Sequence, residues 1–282
     1  MPLQRQLLVF IALTALACSH WATAQDIEIV RGERYGVSQS HRLNLYIPAD
    51  SMGSARPLLT ILGGTDQAQL NSWDETAIWF ASRGYSVVVA GYRPLAQLQW
   101  PQGPDEMRDI AGWVRASLGR LGAAQEGMMM DEVHGMFVLA TGIAANHIAA
   151  YAYHEPSHMG RGASGMQAAV LANTAMLAEN QQTLMSYFKQ DQSLLALGQP
   201  LALAESYVDE AQVHLLLLDP AEMEPVQDAH NQLLKQKICD NQPVCPERVQ
   251  YEGDAGALLS ALKSADGQLM QQIHAFFEES AP

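Results

Sequence analysis

Residues 136–150 read MFVLATGIAANHIAA, an apolar run that passes directly into a stretch rich in alanine. Residues 136–140 are continuously apolar, as expected of a short buried strand, whereas the good helix formers from Ala144 onward favour a helix. Only residues 141–143 lie between the two segments. The sequence therefore predicts that the chain turns sharply from a strand into a helix at these three residues.

Strands and helices alternate on both sides of this turn. Repeated strand–helix units with continuously apolar strands indicate an α/β protein, with a mainly parallel sheet and helices on both faces. Ser72 and Glu75 have the spacing of a capping box, which predicts that a helix begins at Ser72. No linker or internal repeat interrupts the pattern, so residues 25–282 are expected to form a single domain. Strands are predicted at residues 42–47, 58–62, 87–89, 136–140, 168–172, 213–218 and 248–251, and helices at 72–84, 107–121, from 144, at 226–236 and at 269–277.

The composition excludes one class of function. The chain has 282 residues, of which 48% are hydrophobic, so it can bury a substantial core. Asp and Glu number 30 against 16 Lys and Arg, which gives a formal net charge of −14. A nucleic-acid partner requires clustered cations to contact phosphates, and the sequence contains no such cluster. We therefore expect no nucleic-acid partner.

The N-terminal segment has the pattern of a secretory signal. Residues 1–24 carry one charge, Arg5, ahead of an apolar run, and end in small residues that favour cleavage before Gln25. The apolar run is too short to span a bilayer, and no later segment is a candidate for a transmembrane span. A lipid anchor at Cys18 is the less favoured alternative. The protein is therefore expected to be periplasmic or secreted.

Export changes how the cysteines are interpreted. Removal of residues 1–24 would leave Cys239 and Cys245, an even number in an oxidising compartment. We predict a disulfide between them, which in the chain-entropy model is worth about 2 kcal/mol for such a short loop. Two free thiols are the alternative. A metal site is disfavoured because no histidine lies between His230 and His274.

Several stretches, taken in order, resemble a known family. The chain resembles the carboxylesterase/lipase branch of the α/β-hydrolase fold, and the resemblance extends over nearly all of residues 25–282. It implies that Gly63 and Gly64 form an oxyanion loop, with Leu62 where the family has histidine. It also implies a small cap insertion, for which the polar, helical residues 176–210 are the candidate. The stretches that carry the resemblance are residues 42–48, 62–64, 80–88, 91–93 and 100–113.

The resemblance places an inert side chain at the nucleophile position. The family carries its serine in a G-x-S-x-G turn between a strand and a helix. Here Thr141 and Ala145 take the two glycine positions and Ile143 takes the serine position. Isoleucine has no proton to lose and cannot attack a carbonyl. Thr141 and Ser164 carry hydroxyls, but both occur in the wrong sequence context and are interpreted as structural.

The acid position is also degenerate. The resemblance places the acid in the turn at residues 219–225, where the aligned residue is Ala221 or Met223, depending on the anchor chosen. Asp219 or Glu222 could substitute if the turn bends differently. We interpret both as solvated carboxylates of a turn.

The base position lacks a histidine. Residues 251–253 resemble the approach to the family's catalytic histidine, but Gly256 falls where that histidine is expected. His147, His154 and His158 have no ligand spacing typical of a hydrolytic metal site, and are interpreted as core or surface residues. Residues 128–130, three methionines, are interpreted as loop packing. We expect no metal and no cofactor.

These observations favour an esterase-like protein without hydrolase activity. The preferred hypothesis is that it binds a small molecule, such as an acid or ester with an aliphatic portion, or an envelope protein partner. The predicted ligand-binding residues are Gly63, Gly64, Ile143 and Ala144. One alternative is an active ester hydrolase in which His147 and Glu222 activate water. A second alternative is a structural subunit of an envelope assembly.

A backbone prediction follows from Ile143. The nucleophile of this fold is held at positive φ, where a β-branched residue is strongly disfavoured. Without catalysis, nothing offsets that strain. We therefore predict negative φ for Ile143, with Gly142 taking the unusual dihedral.

Overall fold

The computed structural model describes most of the chain, in segments. The predicted signal at residues 1–24, Cys18, Ser164, His154, His158, the methionines at 128–130 and most of residues 176–210 lie outside the described residues. The described residues are 26–49, 56–117, 119–121, 136–153, 166–174, 181–193, 213–241 and 244–281.

An eight-stranded sheet forms the centre of the described structure, in the order β1-β2-β4-β3-β5-β6-β7-β8. The pairs β1–β2 and β2–β4 are antiparallel, and all other neighbours are parallel. The strands from β3 to β7 are mostly continuous buried runs, which is why their apolar sequences predicted them. The strands are β1 (Ile27–Arg34), β2 (Arg42–Pro48), β3 (Leu58–Gly64), β4 (Ser86–Gly91), β5 (Met136–Thr141), β6 (Met166–Ala172), β7 (His214–Pro220) and β8 (Glu247–Tyr251).

Helices cover both faces of this sheet, as predicted. One buried cluster joins the sheet to α3, α4 and α6, and a second joins its opposite face to α1, α2, α7 and α8. Burial of these two apolar layers is the main term that stabilises the fold. The helices are α1 (Gln67–Asn71), α2 (Asp74–Ala81), α3 (Gln102–Ala116), α4 (Ile143–Tyr153), α5 (Gln181–Tyr187), α6 (Pro225–Asn241), α7 (Ala255–Lys263) and α8 (Gly267–Glu279).

The predicted capping box at Ser72 is wrong. Ser72 follows α1 as its C-cap, and its hydroxyl donates to the carbonyl of Gln69 at 2.6 Å. Asp66 is the N-cap of α1 and accepts the N–H of Gln69 at 2.9 Å. The predicted helix at 72–84 therefore corresponds to α2 alone, and α1 lies before it in a polar segment for which no helix was predicted.

The predicted disulfide is present. It joins Cys239, near the end of α6, to Cys245, just before β8, with Cα atoms 4.5 Å apart. The bond ties the last helix on one face of the sheet to the edge strand. Among the residues that the structure describes, no helix is both long enough and apolar enough to cross a membrane.

Candidate functional site

The four predicted ligand-binding residues lie at one edge of the sheet. Gly63 and Gly64 end β3, and Ile143 and Ala144 begin α4 directly after β5. The strands β3 and β5 are parallel neighbours, so their carboxyl ends meet at the same edge. Ligand sites of open α/β sheets lie at this edge, which makes it the candidate site.

The bend between β5 and α4 is made by glycine. Gly142 has φ +57°, and its N–H donates to the carbonyl of Ala172 in the neighbouring strand at 3.0 Å. Ile143 is the first helical residue and does not have positive φ. The backbone prediction is therefore confirmed: the left-handed dihedral falls on the residue that tolerates it best. Neither Gly142 nor Ile143 offers a hydroxyl or a thiol at the bend.

We expect Gly142→Ala to lower the free energy of unfolding by about 1–2 kcal/mol, because a Cβ disfavours left-handed backbone. No heavy atom lies within 4 Å of the added Cβ, so the effect should come from the backbone alone. Urea denaturation measures it. Gly267→Ala is the control, since Gly267 also has open space but no positive φ. Equal stabilities of the two variants would contradict this account of the bend.

Apolar side chains cover the bend. The half-buried side chain of Ile143 packs against a cluster contributed by α5 and by the 3₁₀ turn Leu95–Gln97. An aliphatic residue at the start of α4 therefore continues an apolar surface. The buried members of this cluster are Leu95, Leu98, Leu184, Tyr187 and Phe188.

Two polar groups at the glycine end of β3 are engaged within the fold. The Trp73 indole donates to the Gly63 carbonyl at 2.9 Å, and Gly64 has φ +141°. The Oε1 of Gln69 accepts the N–H of Thr65 at 2.8 Å, and a Cβ on Gly64 would overlap this side chain. An oxyanion loop needs backbone N–H groups available to the substrate. Here Gln69 accepts the N–H that follows the two glycines.

Asp219 is not the solvated turn carboxylate that the sequence predicted. It lies in β7 with no exposed surface. One carboxylate oxygen accepts from the Arg248 Nε at 2.7 Å and the other from the Asn231 amide at 2.8 Å. Burial raises the pKa of Asp219, and Arg248 opposes that shift. A carboxylate held this way stabilises the fold and is not available to orient a catalytic base.

The other turn carboxylate matches its prediction. Glu222 is exposed in the turn after β7. Its backbone N–H donates to the carbonyl of Gly253 at 3.0 Å, which ties the turn to the segment that follows β8. Arg248 also pairs with Asp228, so one guanidinium in β8 serves two carboxylates.

The segment after β8 forms a helix start where a catalytic histidine was sought. Asp254 is the N-cap of α7, and its side chain accepts the N–H of Ala257 at 2.7 Å. Gly256, the residue aligned with that histidine, is exposed in the first turn of α7. This position offers no imidazole, and Asp254 is used in capping.

His147 is a core histidine, one of the two interpretations offered for it. It lies one turn beyond Ile143 on α4 and is 1% exposed. Its ring faces Gly103 of α3 and Tyr187 of α5, with ring centroids of His147 and Tyr187 5.7 Å apart. Burial lowers the pKa of His147 to about 4, against an opposing effect of Glu106. His147 is therefore neutral at pH 7 and enclosed by protein.

A polar cavity of about 630 Å³ lies at the carboxyl ends of β6, β7 and β8. Its lining includes Asn173, Glu222, Glu224 and Asp254. It holds carboxylates and amides but no imidazole or thiol, so it has no base matched to neutral pH. Within the described part of the chain, no group of three His, Cys, Asp or Glu residues could hold a metal ion.

Comparisons with known proteins identify the architecture. No protein-family model and no curated protein matches the chain. It is similar in structure to esterase B of Lactobacillus rhamnosis, with 17% identity, a TM-score of 0.63, and coverage of 98% of this chain and 93% of that one. A truncated carbohydrate esterase from gut microbiota gives 12% identity, a TM-score of 0.67, and coverage of 92% and 98%. The Pyrobaculum calidifontis esterase gives 18% identity, a TM-score of 0.61, and coverage of 98% of this chain and 97% of that one.

The chain has the α/β-hydrolase fold. At these identities the likeness is one of fold, and the activities named belong to those esterases. The sequence did not predict two contacts of this chain. One is the hydrogen bond from the Thr65 N–H to the Gln69 side chain, and the other is the pairing of Arg248 with Asp219. The pairing of Arg248 with Asp219 did have a sequence signal. Arg248 is a lone arginine in the predicted strand at 248–251, and Asp219 directly follows the predicted strand at 213–218.

Proposed function

We propose that this chain is an exported α/β-hydrolase-fold protein that binds a small ligand and does not hydrolyse esters. The observation that carries the proposal is the bend after β5, where Gly142 takes the left-handed dihedral and Ile143 begins the helix. A serine hydrolase needs an attacking oxygen, a base and an orienting group in contact. The bend supplies no attacking oxygen.

The neighbouring groups support the same proposal. Both oxygens of the Asp219 carboxylate have partners inside the fold, and the family resemblance aligns Gly256 with the base. Gln69 accepts the Thr65 N–H beside the glycine loop. Losing even one member of a catalytic triad costs several orders of magnitude in rate. The Asp219 carboxylate and the Thr65 N–H therefore both have partners within the fold.

The ligand class follows from the surface around Ile143. Its aliphatic side chain continues the apolar cluster beneath α5. The start of α4 carries the partial positive charge of a helix N-terminus, which favours a carboxylate. We therefore propose a small acid or ester with an aliphatic portion as the ligand, bound beside Gly63, Gly64, Ile143 and Ala144.

Export is the second part of the proposal. The signal pattern at residues 1–24 and the disulfide between Cys239 and Cys245 both fit a periplasmic or secreted protein. Detection of the mature chain beginning at Gln25 in a periplasmic or extracellular fraction would support it. A mature chain that begins at a lipid-modified Cys18 would instead indicate a protein anchored to the membrane by that lipid.

The test of inactivity uses short p-nitrophenyl esters and a fluorophosphonate probe on the purified mature protein. We expect no turnover above the rate in buffer and no covalent labelling. Turnover that disappears in both His147→Gln and Glu222→Gln would support water activation by that pair instead. Covalent labelling of any hydroxyl would overturn the proposal.

Binding is tested separately by thermal shift with butanoate, hexanoate, octanoate and their ethyl esters. A ligand that binds only the native state raises the melting temperature by mass action. We expect a concentration-dependent rise that Ile143→Leu retains and Ile143→Asp loses, because a carboxylate there would repel an anionic ligand. No shift with any compound would favour the structural-subunit alternative.

A further inference from the structure

The helix α5 lies directly over the bend. Its residues Leu184 and Tyr187, with Phe188 just beyond it, pack against the 3₁₀ turn at Leu95–Gln97 and against Ile143. The Trp100 N–H donates to the Tyr187 carbonyl at 2.7 Å. The position of α5 therefore decides whether the surface around Ile143 is covered.

Beneath α5 lies a polar pair that the packing does not satisfy. Within the described part of the chain, neither ring nitrogen of His147 has a hydrogen-bond partner, and neither does the Tyr187 hydroxyl. Both side chains are buried, and Gly103 of α3 packs so closely that an added Cβ would overlap the His147 ring. Buried polar atoms without partners weaken the state that encloses them. Opening of α5 would let water satisfy all three atoms.

Among the described residues, the charged group that acts electrostatically on His147 is Glu106 of α3. Glu106 already accepts from His41 at 2.7 Å and from the Arg93 backbone N–H at 3.0 Å. Its carboxylate is also paired with the Arg93 guanidinium. Asp105 acts electrostatically on Tyr187. Protonation of His147 therefore opposes the closed state.

We propose that α5 is a lid over the ligand site, which its apolar packing keeps closed while His147 is neutral and which is released when acid protonates that residue. The functional meaning rests on the binding function proposed above, because opening matters only if a ligand enters beside Ile143. The lid itself is tested without any ligand, so its failure and the failure of the binding proposal can be distinguished.

The direction of the effect follows from the two states of His147. Burial lowers its pKa to about 4 in the closed state, against an ordinary value of 6.5 for a solvated ring. Only the open state therefore takes up a proton as the pH falls from 6.5 towards 4. Proton linkage then raises the opening constant about twentyfold between pH 7 and pH 5. The closed state is therefore fully favoured only when the pH is above 6.5, the ordinary pKa of a solvated histidine.

The experiment is amide hydrogen exchange of the mature protein at pH 7 and pH 5, corrected for intrinsic exchange rates. We expect protection of residues 181–190 to fall about twentyfold, together with that of the Trp100 amide, which is read by NMR. Protection of β5 should be unchanged. Equal protection of α5 at the two pH values, or a parallel loss in β5 that reports global unfolding, would overturn the proposal.

Two variants assign the effect to one residue. His147→Leu cannot titrate and should make the protection of α5 independent of pH. His230→Leu is the matched control: His230 is also partly buried, on α6, and its loss should leave the acid response intact. A response that survives in His147→Leu would overturn the assignment. If that variant does not fold, NMR titration of the wild-type His147 ring decides, and a ring that titrates near 6.5 in the closed state contradicts the lid.

Discussion

Replacement of Arg248 by methionine should lower the free energy of unfolding by about 3–5 kcal/mol at neutral pH, because it leaves a buried charge without its partner. Asp219 has no exposed surface, and among the described residues Arg248 is its one cationic contact, at 2.7 Å. The Asn231 amide would remain, but an amide does not neutralise a carboxylate. This edge of the sheet therefore depends on one guanidinium.

Urea denaturation of Arg248→Met and of Arg120→Met measures this effect against a matched control. Arg120 pairs with Glu33 at 3.1 Å, but both side chains are largely solvated. Exposed pairs contribute little, so the control should change stability by less than about 1 kcal/mol. Similar small losses in both variants would show that Asp219 is not held by Arg248.

The deficit of Arg248→Met should also depend on pH. Burial already raises the pKa of Asp219 and Arg248 opposes the shift, so removing Arg248 raises this pKa further. The folded variant then binds a proton at a pH where the unfolded chain does not. Stability relative to the wild type should therefore recover as the pH falls towards the ordinary carboxylate range. A deficit that grows on acidification would contradict this sign.

Gly103→Ala should lower the free energy of unfolding by about 1–3 kcal/mol, the usual cost of overpacking a closed core. The new Cβ would overlap the His147 ring and lie 2.7 Å from the Tyr187 hydroxyl oxygen. Neither neighbour has open space, because both are buried. The strain falls on the contact between α3, α4 and α5.

Gly112→Ala, in the same helix, is the control for Gly103→Ala. No heavy atom lies within 4 Å of a Cβ at Gly112, so alanine there should raise stability by about 0.5–1 kcal/mol through helix propensity. Combining Gly103→Ala with His147→Ala should recover much of the loss, which a double-mutant cycle measures. A Gly103→Ala variant as stable as Gly112→Ala would show that α3 does not press on His147.

The candidate site combines the strand and turn arrangement of the α/β-hydrolase fold with polar groups that pair within the chain. The glycine bend still turns β5 into α4, and the glycines after β3 still end at the same edge. Asp219 binds Arg248, and Gln69 binds Thr65, so the polar groups are engaged within the fold. Polar groups fixed by contacts of this kind suit the binding function proposed above.

Most of the sheet could be predicted because its strands are continuously apolar. The exception is β1, an edge strand with a half-exposed pattern and an irregularity between Arg31 and Glu33. An edge strand has one neighbour and one solvated side, so it need not show an apolar run. The wrong helix start at Ser72 has a similar cause, since α1 is short and polar and is held by the Asp66 cap.

The amino-acid sequence alone determined the α/β class with a mainly parallel sheet, the disulfide between Cys239 and Cys245, and the left-handed backbone at Gly142 beside Ile143. These features depend on local patterns: apolar runs, cysteine count and the steric limits of a β-branched residue. Tertiary structure decided the burial of Asp219 and the enclosure of His147 by Gly103 and Tyr187. Whether a charged or polar group is solvated depends on segments distant in sequence that pack around it, and no local pattern contains that information.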